Sequence, residues 1–165
     1  STGKKGRVTM ILAVGSDHAG YSLKAALLEK LREKGHVVID HGSYDEKPVD
    51  FPDIARLVCG SILNGEAQRG IMFCGTGVGA SIACNKVPGI RASVCHDIYT
   101  AHQCVEHDDV RIIALGAQIV GATVAEELID LFLKAEFSSS PEFRRRVEKL
   151  SVMDGSQGKG RGGSP

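Results

Sequence analysis

The stretch Gly70-Ile-Met-Phe-Cys-Gly-Thr-Gly-Val-Gly-Ala-Ser81 runs from a short apolar segment through a cysteine into a glycine-rich turn. Residues 71–73 are typical of a buried strand, and the amphipathic residues 80–86 are typical of a helix. Glycines let backbone N–H groups approach a ligand closely, and the start of a helix favours negative charge. The stretch therefore predicts a strand, an anion-accepting turn and a helix, with Cys74 placed where its thiolate would be stabilised.

The composition of the whole chain excludes several classes of protein. Of its 165 residues, 42% are hydrophobic, which is enough for one folded domain with a core. Twenty Lys and Arg residues balance twenty Asp and Glu residues, so no overall charge favours a nucleic-acid partner. No stretch approaches the roughly 20 apolar residues of a membrane span. The five cysteines contain no C-x-x-C pair, which is typical of reduced thiols, and we expect a cytoplasmic protein.

Apolar segments alternate with amphipathic segments along the chain, with no hairpin signal between them. This alternation predicts an α/β fold, a parallel five-stranded sheet covered by helices on both faces. We expect one domain over residues 10–150, a disordered leader over 1–9 and a disordered Gly/Ser-rich tail over 151–165. The predicted strands are 10–14, 36–40, 71–73, 90–94 and 111–115, and the predicted helices are 21–34, 51–63, 80–86, 97–106, 120–133 and 141–150.

Several polar residues follow predicted strands, and ligands of parallel sheets bind at the carboxyl ends of strands. Asp17 and His18 follow the first strand, Cys74–Gly79 follows the third, and His96 and Asp97 follow the fourth. Each group also has a purely structural alternative: a tight glycine turn, a buried packing cysteine, or an aspartate that caps a helix. Their combination favours a binding site at this edge of the sheet.

Histidines and arginines in the second half of the chain raise two further possibilities. His96, His102 and His107 are six and five residues apart, which does not place them on one helix face, so we predict no metal site. A neutral histidine that serves acid–base chemistry fits better. The run Arg144–Arg146 is either a solvated basic face or a phosphate clamp for this subunit or a neighbour.

Four separated motifs resemble those of the type B ribose-5-phosphate isomerases: residues 14–20 (VGSDHAG), 50–53 (DFPD), 74–92 (CGTGVGASIACNKVPGIRA) and 106–107 (EH). The resemblance covers about residues 10–150, and the superfamily includes galactose-6-phosphate isomerase subunits and members that act on allose. It implies a Rossmann-like three-layer α/β/α sandwich that uses no cofactor or metal. It also implies a homodimer, or a dimer of dimers, with active sites at the subunit interface.

The reaction implied by the resemblance interconverts D-ribose 5-phosphate and D-ribulose 5-phosphate, in the pentose phosphate pathway, through a cis-enediol. Cys74 matches the base that moves a proton between C1 and C2, and Asp17 matches the residue that handles hydroxyl protons. His107 matches the histidine that helps to open the sugar ring, and we expect it to lie beside Cys74. Thr76 with Gly75, Gly77 and Gly79 would form the anion hole, and the other matched substrate-binding positions are His18, Tyr44, Asn85, Asp108 and Arg146.

Three positions depart from the family pattern and make the phosphate pocket less positive. Asp108 follows the catalytic histidine where asparagine is common, and Gln118 and Glu142 stand where the family has arginines. The alternatives are therefore the same reaction on allose 6-phosphate, galactose 6-phosphate or an unphosphorylated aldose, or a phosphosugar-binding protein without turnover. The candidates to supply the missing positive charge are Arg111, Arg144 and Arg145.

Overall fold

The computed structural model describes residues 8–155. Residues 1–7 of the predicted leader and residues 156–165 of the predicted tail lie outside this range. Between residues 8 and 155, no helix has the length and apolar character needed to cross a membrane.

Within residues 8–155, five strands and six helices follow one another in the predicted order. The largest difference is at the C-terminal end, where residues 151–153, predicted as disordered, continue the last helix. The strands are β1 (Ile11–Ser16), β2 (Val37–Asp40), β3 (Arg69–Cys74), β4 (Ala92–Val94) and β5 (Ile112–Gly116), and the helices are α1 (Tyr21–Glu33), α2 (Phe51–Leu63), α3 (Val78–Asn85), α4 (Ile98–Asp108), α5 (Ala122–Lys134) and α6 (Pro141–Met153).

The strands form one parallel sheet in the order β2-β1-β3-β5-β4. This order makes β1 and β5 the two neighbours of β3. The register pairs Ser16 of β1 with Phe73 of β3, and Cys74 of β3 with Gly116 of β5. The carboxyl ends of the three central strands therefore meet at one edge, which we call the carboxyl edge.

Alternate residues of β3 pack into two separate hydrophobic cores. Ile71 and Phe73 join the core under α1, α4 and α5, whereas Met72 and Cys74 join the core under α2 and α3. Helices thus cover both faces of the sheet, and the predicted α/β fold with a five-stranded parallel sheet is confirmed. The alternation also places the Cys74 side chain on the α2 and α3 side of the carboxyl edge.

Candidate active site

The turn after β3 folds back onto the sulfur of Cys74. Gly77 has a φ of +83°, in the left-handed region that glycine adopts at little cost. In this conformation its backbone N–H donates a hydrogen bond to Cys74 Sγ over 2.9 Å. The turn therefore holds a backbone donor against the sulfur of Cys74.

The N-terminus of α3 lies directly beyond this thiol. The bond from Ser81 N–H to the Gly77 carbonyl is the first of its helical hydrogen bonds, so the amides of Gly79 and Ala80 precede the ladder. The Thr76 hydroxyl is exposed and accepts from Val78 N–H at 3.3 Å. Amides at a helix start favour a negative oxygen. The thiol therefore lies next to backbone amides of the kind that bind anions.

The end of β5 supports this turn from the neighbouring position in the sheet. Ala117 N–H donates to the Cys74 carbonyl at 2.8 Å, and Gln118 N–H donates to the Gly75 carbonyl at 3.0 Å. A side-chain carbon added at Gly116 would lie 2.6 Å from Thr76 Cα, which is too close for a real contact. Only glycine therefore lets β5 and the turn approach this closely.

Asp17 lies beside Cys74 because β1 and β3 are neighbours. Its N–H donates to the Phe73 carbonyl at 3.2 Å, and its side chain is only 7% exposed. Its Oδ1 accepts from Gly20 N–H at 2.9 Å, within the turn that leads into α1, whereas the N-cap of α1 is Gly20 itself. The alternative in which Asp17 is the N-cap of the following helix is therefore wrong.

His18 and Tyr44 border the same edge from two loops. His18 Nδ1 accepts from Val49 N–H at 3.3 Å, which leaves Nε2 to carry the proton of the neutral ring. The ring of Tyr44 is 71% exposed, while its hydroxyl donates to the Asp40 carbonyl at 3.0 Å. The predicted site residues that meet at the carboxyl edge, called the thiol cluster below, are Asp17, His18, Tyr44, Cys74, Gly75, Thr76, Gly77 and Gly79.

His107 lies at the opposite edge of the sheet from Cys74. Helix α4 starts at the carboxyl edge after β4 and returns to the amino edge, where β5 begins, and His107 is in its last turn. The ring of His107 stacks on Phe143 with 4.1 Å between centroids, and the Arg146 guanidinium lies 5.8 Å from the same Phe143 ring. The prediction that His107 lies beside Cys74 is therefore wrong within one chain, because residues that precede a parallel strand lie opposite those that follow one.

Asn85 and Asp108 also lie away from the thiol. The Asn85 amide exchanges two hydrogen bonds of 2.9 Å with the backbone of Ala92 on the edge strand β4. Asp108 accepts from Arg91 Nε through its carbonyl at 2.9 Å. Both side chains line a cavity of about 400 Å³ between β4, α4 and α6. The second group of predicted site residues, called the His107 cluster below, comprises Asn85, His107, Asp108 and Arg146.

Two of the three basic candidates for the phosphate pocket, Arg111 and Arg144, donate hydrogen bonds elsewhere in the chain. Arg111 precedes β5 and donates from Nε and Nη2 to the Gln68 carbonyl at 2.9 and 2.6 Å, on the amino edge. Arg144 donates from Nε to the Ser138 carbonyl at 2.9 Å. The prediction that Arg111 supplies positive charge to the phosphate pocket is therefore wrong for the thiol cluster of its own chain. Gln118, by contrast, lies at the carboxyl edge. Its Nε2 would be 3.4 Å from a Cβ atom added at Gly75, so its amide lies close to the thiol turn.

His96, one of the candidate residues that follow predicted strands, supports the thiol turn through β5. Its Nε2 accepts a 2.8 Å hydrogen bond from the N–H of Gly116, the residue against which the thiol turn packs. Burial lowers the pKa of His96, and the nearby Asp97 carboxylate opposes that shift. The position of His96 just after β4 is the sequence feature that made it a candidate for this edge of the sheet. The neutral ring is the form that can accept this bond.

We expect His96 to make stability depend on pH. Since its folded-state pKa lies below the ordinary value of about 6.5, the unfolded chain takes up the proton first as pH falls. Its contribution to the free energy of unfolding is therefore complete above pH ~6.5 and decreases below it. His96→Gln keeps a hydrogen-bond acceptor and cannot titrate, so its unfolding free energy should fall less steeply with acid. Urea titrations from about pH 7 to 5 measure the two slopes, and equal slopes would contradict the assignment.

The chain is similar to known sugar phosphate isomerases along nearly its whole described length. Residues 12–150 match the ribose/galactose isomerase family. The chain is 38% identical over 143 residues to ribose-5-phosphate isomerase B of Escherichia coli, covering 87% of this chain and 95% of that protein. It is 42% identical over 149 residues to D-erythrulose-4-phosphate isomerase of Pectobacterium atrosepticum, covering 87% and 94%. The fold matches ribose-5-phosphate isomerase B of Clostridium thermocellum with a TM-score of 0.86 and 44% identity, covering 88% of this chain and 98% of that one.

Proposed function

This chain belongs to the ribose/galactose isomerase family and is a sugar phosphate isomerase, and from that premise we propose that it interconverts D-ribose 5-phosphate and D-ribulose 5-phosphate through a cis-enediol, as a step of the pentose phosphate pathway. The observation that carries the proposal is the 2.9 Å hydrogen bond from Gly77 N–H to Cys74 Sγ, beside a helix N-terminus and beside Asp17. A base next to backbone donors that can bind a developing negative charge is what proton transfer beside a carbonyl requires.

The reaction begins when the Cys74 thiolate removes the proton from C2 of the open-chain aldose. The electrons of the C–H bond form the C1–C2 double bond, and the negative charge moves to the C1 oxygen. Amides of the turn, among them those of Gly79 and Ala80, bind this oxygen as its charge develops. Losing one such donor typically costs on the order of 10²–10³ in rate.

The second half of the reaction returns both protons. Asp17 takes the proton of the C2 hydroxyl and delivers it to the C1 oxygen, while the Cys74 thiol gives its proton to C1. C2 then becomes the carbonyl carbon of the ketose, and the thiolate is regenerated. The buried position of Asp17 beside Cys74 supports this division of roles.

We further infer that two chains form a homodimer, or a dimer of dimers built from it, in which the His107 cluster of one chain completes the thiol cluster of the other. His107 then helps to open the sugar ring, and Arg146 binds the phosphate. Apolar side chains around α3 and the start of α4 support an interface there, since patches of this kind mark contact surfaces. The most exposed of them are Val78 (53%), Ile82 (55%), Ile98 (63%) and Tyr99 (64%).

The proposal includes a cytoplasmic location. The free state of all five cysteines supports it, because reducing compartments keep thiols unpaired.

A second candidate is the same reaction on a different sugar. Gln118 supports it, because its neutral amide lies close to Gly75, at the position where type B ribose-5-phosphate isomerases have a phosphate-binding arginine. One relative is named a D-erythrulose-4-phosphate isomerase, so the substrate differs among proteins this similar. Galactose 6-phosphate, allose 6-phosphate and unphosphorylated aldoses belong to this alternative.

A substrate panel decides between these candidates. We expect kcat/KM for ribose 5-phosphate to exceed that for erythrulose 4-phosphate, allose 6-phosphate, galactose 6-phosphate and free ribose by at least about tenfold, because binding groups matched to one sugar lose their partners with another. Reactions in deuterium oxide should place deuterium at C2 of the recovered aldose. A higher value for another sugar selects the second candidate. Binding of ribose 5-phosphate without any deuterium incorporation would instead indicate a phosphosugar-binding protein without turnover.

A further inference from the structure

Lys24 places a positive charge in the interior that the proposed reaction does not use. Its side chain is 1% exposed, and it lies in the first turn of α1. Burying an ammonium group is costly, and the positive end of the helix dipole adds to the cost at this position. A buried charge of this kind is retained only where contacts with its partners offset the cost of removing it from water.

The partners of Lys24 lie at the end of β2, in the loop after it and in the first turn of α1. Its Nζ lies 2.7 Å from Asp40 Oδ1 and donates a second hydrogen bond to the Ser43 carbonyl. The rings of Tyr21 and Tyr44 lie 5.8 and 5.4 Å from Nζ, close enough for cation–π attraction. The ammonium thus contacts both ends of the 40–44 loop.

The 40–44 loop in turn holds the end of β1. Ser16 N–H donates to the Gly42 carbonyl at 2.6 Å, and Ser43 N–H donates to the Ser16 carbonyl at 2.7 Å. Asp40 Oδ1 also accepts from Gly42 N–H at 2.9 Å, which ties the carboxylate to the same segment. Since Ser16 directly precedes Asp17, any displacement of the loop moves Asp17.

We propose that Lys24 is a positioning residue of the thiol cluster, whose buried ammonium fixes the 40–44 loop and, through it, the Tyr44 ring and Asp17. It contacts no substrate and acts through these two residues. This inference rests on the isomerase function proposed above and adds a residue to its machinery.

The test uses Lys24→Met/Asp40→Asn, which removes the ion pair without leaving either charge buried alone. Single Lys24→Met leaves the Asp40 carboxylate without its cation, so its melting temperature should fall, and the double variant should recover it. We expect kcat/KM of the double variant for ribose 5-phosphate to remain about 10- to 100-fold low with a raised KM, because small displacements of positioned groups are costly. A loss of folded molecules alone would lower apparent kcat and leave KM unchanged.

The matched control is Lys30→Met/Glu126→Gln, which removes a 3.3 Å ion pair between α1 and α5, remote from the carboxyl edge, together with the 2.8 Å pair of Glu126 with Lys34. It should keep wild-type kcat and KM.

If Lys24→Met/Asp40→Asn fails to fold, Asp40→Asn alone keeps the backbone contacts of the loop and should show a smaller rise in KM. Wild-type kcat and KM in the folded Asp40 variants would overturn the role of Lys24 while leaving the isomerase function intact. An inactive wild type would overturn both.

Discussion

Cys74→Ala is expected to lower kcat for isomerisation of ribose 5-phosphate by about 10²–10⁴-fold, the usual contribution of a general base. The thiol accepts a hydrogen bond from Gly77 N–H and lies beside the proposed anion hole, so its loss removes the group to which we assign transfer of the carbon-bound proton. KM should change little, because the amides of the turn and the other side chains of the thiol cluster remain. Steady-state kinetics and deuterium incorporation at C2 should fall together.

Cys104→Ala provides the matched control for this experiment. Cys104 is also buried, but it belongs to the core on the opposite face of the sheet, under α4 and α5. This variant should have the wild-type KM, and its kcat should stay within about threefold of wild type, as for core changes far from the chemistry. Wild-type turnover by Cys74→Ala would contradict the assignment of the base.

A mixture of two inactive variants is expected to recover about one quarter of wild-type activity if the site is shared between two chains of a symmetric dimer. The variants are Cys74→Ala and His107→Asn, produced together in equal amounts. Half of the dimers then contain one chain of each kind, and each such dimer has one complete site. Within one chain the two clusters cannot meet. His107 lies near Ile112 at the start of β5, whereas Cys74 is paired with Gly116 at its end, and about 13 Å of strand separates Ile112 from Gly116.

The control mixture combines Cys74→Ala with Asp17→Ala. Both changes affect the thiol cluster, so no pairing of these chains creates a complete site. Activity should therefore stay at the level of the separate variants. Equal recovery in both mixtures, or no recovery with His107→Asn, would contradict the shared site, and light scattering on the same samples reports whether dimers form.

Most of the fold could be predicted because its signals are local. Helical and strand periodicities are properties of neighbouring residues, and glycine and proline mark where the elements end, so helix α2 was predicted at its observed bounds, Phe51–Leu63. The thiol turn was predictable for the same reason, since Cys74, Thr76 and Gly77 are adjacent in the chain. The parallel arrangement also predicted that residues following β1 and β3 would share one edge.

The sequence by itself thus determined the order of the elements, the parallel sheet and the thiol turn with Asp17 and His18 at its carboxyl edge. The tertiary structure decided which strands are neighbours, and so that Asp17 lies beside Cys74 while His107 lies on the opposite edge. It also decided that Lys24 is buried against the 40–44 loop and that His96 binds Gly116. These contacts join residues far apart in the chain, so they depend on how the crossovers place whole elements, which no local pattern records.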